Sequence, residues 1–135
     1  MKFSVYAVVL SLLALFYCLA FVLMPVKFAS QYGLHLDAGG EVLGRFFGAA
    51  LGGHGIILWL IRSKSPNDIA ARAVLWSAIF YNAVFLIVTL NSIFDKLANS
   101  LAWTTVFLDI LIILASLYFL LARTADELVS KRNNQ

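Results

Sequence analysis

Apolar positions in this chain fall into four long runs, at residues 3–24, 41–61, 69–90 and 101–121, separated by short breaks rich in polar residues. Each run is about 20 residues long, the length an α-helix rising ~1.5 Å per residue needs to cross ~30 Å of hydrocarbon. The pattern predicts an all-α fold, an integral membrane four-helix bundle forming one domain over residues 1–135 with a polar tail at 123–135. A basic start followed by an apolar run is shared with signal peptides. The first run is longer than the usual ~7–15-residue signal core, however, and Leu15-Phe16-Tyr17 before Cys18 lacks the small residue of a lipoprotein site, so it is expected to stay as span one.

The breaks have distinct characters. Residues 25–40, PVKFASQYGLHLDAGG, alternate Phe28, Tyr32, Leu34 and Leu36 with Lys27, His35 and Asp37. That mixture suits a segment on the membrane surface with aromatics at headgroup level, here a short helix closed by Gly33 that could also serve as a lid over the bundle. In RSKSPND, Ser65 is placed to cap a helix, Pro66 to occupy its first position and Asp68 to act as the capping-box acid. NSIFDKLANS is expected to be the third loop. The tail RTADELVSKRNNQ is expected to continue the last helix and then fray.

Composition removes the soluble alternatives. The chain is 62% hydrophobic and 13% charged, with a mean hydropathy of +0.91, against about 45–50% and about 25% for soluble domains. A net charge of +3 could suggest nucleic acid, but the basic residues sit mostly in short loops and tails, so no nucleic-acid partner is expected. With both termini cytoplasmic, Lys2, Arg62, Lys64, Arg72, Arg123, Lys131 and Arg132 lie inside, and only Lys27, Lys96 and Arg45 lie outside or near the outer end. That bias predicts an N-in, C-in protein of the bacterial inner membrane. Trp59 and Trp103 then fall at the two interfaces, whereas Trp76 is deep enough to be expected to pack within the bundle. Cys18, the single cysteine, cannot form an internal disulfide.

The stretch 39–61, which contains the second run, holds seven of the eight glycines, with Glu41, Arg45 and His54 among them. On a helix Glu41, Arg45, Gly48, Gly52, Gly55 and Trp59 fall on nearly one line, and small residues spaced by four let a neighbouring helix approach. Gly48, Gly52 and Gly55 are therefore expected to pack helices together. A charge inside a span costs about 2.5–3.5 kcal/mol on insertion scales, so Asp109, roughly 12 Å deep in span four, requires a reason. Arg45, Asn82 and Asp109 all fall in the outer half, and Thr105, Asp109, Ile112 and Ser116 share one face of span four. One expectation is an Arg45–Asp109 ion pair helped by Asn82, with a structural role. The second is a cavity for a polar headgroup, a quinone or an ion lined by the same residues. In a third wiring Glu41 pairs with Arg45 and leaves Asp109 protonated. His54, mid-membrane and opposite Arg45, is expected to hydrogen-bond a neighbouring helix near Tyr17 or Tyr81.

No Cys/His metal spacing, phosphate loop, nucleophile elbow or pair of carboxylates at one depth is present, so no catalytic or metal-binding residue is assigned and enzymatic activity is left open. Haem would need a second axial group, and His35 lies in a loop. GRFFGAALGGHGIILWLIR in span two resembles the Arg-then-glycine helix of small bacterial four-span proteins of the DoxX-like type. PVKFASQYGLHLD before it and LDILIILASLYFL after it fit the same layout. The resemblance implies a four-helix bundle and, in some members, kinship with subunits of quinone-linked oxidoreductases. Three functions follow as expectations. The first is a non-enzymatic protein binding a lipid-like ligand or a membrane partner through the polar cluster and the glycine face. The second is an accessory subunit of a quinone-linked oxidoreductase, and the third a small transporter assembled as a homo-oligomer.

Overall fold

The computed structural model describes the backbone of residues 2–133 and the side chains of residues 2–121. The chain is all-α: α1 (Phe3–Leu23), the short α2 (Pro25–Gln31), α3 (Ala38–Ile61), α4 (Ile69–Phe94) and α5 (Ala102–Asn133). Four of them, with the apolar part of α5 at Ala102–Leu121, are long and apolar enough to cross a membrane, as in a multi-pass membrane protein. Large apolar side chains such as Val9, Phe46 and Phe80 point outward, where lipid rather than water is their natural solvent. The last two residues, where fraying is expected, lie outside the described residues.

Local chemistry sets most of the boundaries. Pro25 ends α1 and opens α2 as its first residue, where its missing N–H removes no hydrogen bond. Gly33, at φ +82°, closes that turn in the left-handed region. Asp37 caps α3 by accepting from the Gly40 N–H at 2.7 Å. The helix that follows RSKSPND starts later than its sequence suggests. Ser65 Oγ accepts from the Asn67 N–H within a turn, and Asp68 is the cap of α4, accepting from the Ala70 N–H. At the other end α4 runs on through Asn91 to Phe94, absorbing the first part of the expected loop.

The four long helices run up, down, up and down as two tight pairs. In the first pair α1 lies against the glycine face of α3. A Cβ on Gly48 would come within 2.9 Å of Phe21 Cβ and 3.0 Å of the Cys18 carbonyl oxygen, and one on Gly52 within 2.7 Å of Cys18 Sγ. Ser11 Oγ donates to the Gly55 carbonyl at 2.7 Å, a bond that this close approach permits. In the second pair Ala71, Leu75, Ala78 and Asn82, stepping by four, three and four, form the buried seam of α4 against α5.

The pairs join firmly only at the end carrying the N-terminus of α1. There Phe3, Tyr6, Ala7, Leu58, Leu75 and Phe119 form the core, with Phe3 and Phe119 edge-to-face at 5.5 Å. Tyr6 OH donates to Ser116 Oγ at 2.7 Å, and Ser116 Oγ donates in turn to the Ile112 carbonyl. Toward the opposite end the packing between pairs opens. Across that end lies α2, with Phe28 and Ala29 turned inward and Lys27 and Ser30 outward. It is tied to the α4–α5 connection, where the Asn99 N–H donates to the Tyr32 carbonyl and Asn99 Nδ2 to the Gln31 carbonyl.

Trp76 departs from its expected place: its side chain is 56% exposed on the outer surface of α4 rather than packed inside. The inward seam of α4 is taken by Leu75 and Ala78, which turns the intervening Trp76 outward.

Candidate functional site: a chamber holding Asp109 beside an apolar vestibule

Where the two helix pairs part, α1, α3, α4 and α5 enclose a chamber of about 70 Å³. Asp109 and Asn82 bring their polar groups to it, together with Tyr17, Tyr81, His54 and Thr105. Its other walls are rings and aliphatic chains, chiefly Phe47, Phe85, Leu13 and Leu108. Tyr17, Phe47, Phe85 and Thr105 also line a second, larger space of about 410 Å³ extending toward the α2 end. This vestibule is almost wholly apolar. Phe21, Phe28, Leu36 and Ala102 line it, and Leu43 and Val88, both exposed on the outside of the bundle, stand at its rim.

The aromatic lining is ordered. Phe47 on α3 stacks nearly parallel on Tyr81 and Phe85 of α4, with centroids 6.4 and 5.6 Å apart, and His54 stacks on Tyr81 at 6.4 Å. Residues seven apart on α3 and four apart on α4 share a helix face, so Phe47 and His54 present one wall and Tyr81 and Phe85 the other. At the neck Phe28 of α2 stands edge-on to Tyr17, Phe21 and Tyr32.

Asp109 is the unusual group. It is only 3% exposed, and its Oδ2 is buried with no hydrogen-bond partner, as is the Tyr81 hydroxyl. Asn82 Nδ2 donates to the Ala78 carbonyl one turn back on its own helix. A buried polar atom without a partner costs about 1–3 kcal/mol, and more if charged, so two at one chamber are a substantial strain on the fold.

The structure brings Asn82, Asp109, Tyr17, Tyr81 and His54 together and leaves Arg45 and Glu41 outside. Arg45 Nη2 lies 2.7 Å from Glu41 Oε1, with side chains 51% and 38% exposed, so the expected Arg45–Asp109 pair is replaced by the Glu41–Arg45 pair of the third wiring. Two features of the packing account for this. The line of Gly48, Gly52 and Gly55 does continue to Arg45 and Glu41, but α1 ends at Leu23, level with Gly44, whose Cβ position lies 3.2 Å from Pro25. Beyond that point α1 no longer covers the line, and Arg45 is exposed. In addition, α3 and α5 stand diagonally across the bundle, since α3 packs on α1 and α4. A double-mutant cycle of Arg45→Gln with Asp109→Asn is accordingly expected to be additive within about 0.5 kcal/mol in detergent unfolding. Coupling larger than that would restore the ion pair.

His54 is likewise corrected in its contacts: among the described residues it makes no side-chain hydrogen bond to a neighbouring helix and is held by stacking on Tyr81. His35 is exposed in the loop before α3. Among the described residues no three His, Cys, Asp or Glu side chains converge as a metal site. Phe47 and Phe85, which build the wall, were not singled out from the sequence. The signal available was their register, Phe47 one heptad from His54 and Phe85 one turn from Tyr81. No protein-family model, curated protein or solved structure matches this chain.

Proposed function

We propose that this chain is a small multi-pass protein of the inner membrane, with both termini cytoplasmic, that holds an amphipathic, lipid-like molecule between its two helix pairs. The observation carrying this is the unpartnered, buried Asp109 Oδ2 in the smaller of two adjoining spaces, the larger of which is an apolar vestibule. Such a shape matches a ligand with one polar end and a long apolar body, and the ligand's polar end would supply the missing hydrogen bonds. The orientation rests on the excess of Lys and Arg at the N-terminal end of α1 and the α3–α4 connection. It places the vestibule in the outer half of the bilayer. Kinship with DoxX-like four-span proteins belongs to the same proposal. A second reading, an accessory subunit of a quinone-linked oxidoreductase, draws on the near-parallel rings of Phe47, Tyr81 and Phe85, a wall suited to a flat headgroup.

The test is mass spectrometry of protein extracted gently with its native lipids, comparing the parent chain with Asp109→Asn. A single amphipathic species retained by the parent and lost from the variant is the expected result. The same bulk lipid on both proteins would overturn the proposal.

A further inference from the structure

The charge balance of the site narrows the ligand beyond "lipid-like". Among the residues lining the chamber and the vestibule, Asp109 is the only Asp, Glu, Lys or Arg. Arg45 is engaged with Glu41, and Asp109 has no ion-pair partner among the described residues. The two atoms left without partners are an oxygen of the Asp109 carboxyl, which accepts in its ionised form, and a tyrosine hydroxyl, which can accept as well as donate. The rings of Phe47, Tyr81 and Phe85 line the same space, and an aromatic ring offers a cation the negative side of its quadrupole at its face. An ionised Asp109, the Tyr81 oxygen and the aromatic rings together favour a positive charge bearing N–H donors. An anion would face the Asp109 carboxyl with only the His54 imidazole, stacked on Tyr81, to hold it. A zwitterionic phospholipid head would bring its phosphate toward the same carboxyl. The small inner chamber admits a compact head, and the vestibule, about six times larger, takes a chain.

Resting on the reading of the cavity as a ligand site, we propose that the ligand is an amphiphilic amine in its ammonium form. Its –NH₃⁺ head sits against Asp109 Oδ2, Tyr81 and the Phe47/Phe85 rings, and its alkyl body fills the vestibule. Entry is sideways from the bilayer between α3 and α4, past Leu43 and Val88, where the two helices are loosely packed.

The experiment compares ligands with one tail and different heads, titrated calorimetrically into the full chain in a neutral maltoside detergent. The probes are dodecylammonium, dodecanol, dodecylphosphocholine and a dodecyl-substituted benzoquinone. Dodecylammonium is expected to bind at least about tenfold more tightly than the other three. Asp109→Asn is expected to lose about tenfold or more for the ammonium alone, and Phe47→Leu a few-fold. Because the head series is measured on the parent chain, it decides the matter even if a variant folds poorly. Equal or tighter binding of any other head overturns the ammonium assignment, as does unchanged ammonium affinity in Asp109→Asn. Quinone binding that depends on Asp109 overturns this inference but leaves the ligand site standing. If no probe binds and no native lipid is retained, both fall.

Discussion

Asp109→Leu is expected to give a protein more stable than the parent, by about 2 kcal/mol, and unable to retain its ligand. The direction follows from what Asp109 lacks. Its Oδ2 is buried without a partner, and Arg45, the basic residue within α3, is already held by Glu41. Breaking a buried ion pair would cost about 3–5 kcal/mol; removing a carboxyl that has no partner instead relieves its burial cost. The branched leucine side chain also has somewhere to go, since the chamber beside it is about 70 Å³ and walled by Leu108, Ile112 and Leu10. The measurement is the midpoint of thermal unfolding in mild detergent, alongside ligand retention. A lower midpoint for the leucine variant would mean that Asp109 is a structural anchor. A higher midpoint with ligand loss is the stability–function opposition expected of a binding residue.

How far the sequence carried is clear from particular residues. Hydropathy alone predicts the four long helices, because the membrane requires every backbone group in a span to be bonded within its own helix. The inward face of α5 was equally legible. Thr105, Asp109, Ile112 and Ser116 are all buried, as their shared helix face predicts, because a polar residue in lipid has nowhere else to turn. What could not be read was which helix each face would meet. Arg45 sits on the same line as Gly48 and Gly52, and a helical projection does not reveal that α1 stops at Leu23 before covering it. Nor does it reveal that α5 stands diagonal to α3. The aromatic wall was hidden for a different reason. Phe47 and Phe85 are two among eleven phenylalanines, and in an apolar span a phenylalanine facing lipid and one facing a cavity look alike. Only the pairing of α3 with α4 brings His54, Tyr81, Phe47 and Phe85 into one stack.

The same close packing that creates the cavity sets the second large expectation. Gly48→Leu is expected to destabilise the bundle by about 3 kcal/mol, near the upper end of the usual cost of overpacking. The atoms facing the added side chain are Phe21 Cβ at 2.9 Å, the Cys18 carbonyl oxygen at 3.0 Å and Val22 Cγ2 at 3.0 Å. A Cβ and a backbone oxygen cannot rotate away, so α1 itself must move, and with it Tyr17 and the neck of the cavity. Gly52 differs although its nearest contact is shorter. That contact is the Cys18 sulfur, the end of a side chain that can turn, and the next atom is 3.5 Å away. Gly52→Ala should therefore cost less than Gly48→Ala, by about 1 kcal/mol. Gly53 meets nothing within 4 Å and points outward, so Gly53→Ala should leave the unfolding midpoint unchanged or slightly raised, alanine being the better helix former. Measured together by thermal unfolding, the three alanine variants test the α1–α3 contact itself. If Gly48→Ala were as harmless as Gly53→Ala, the close approach of the two helices, and the cavity it leaves between the pairs, would be wrong.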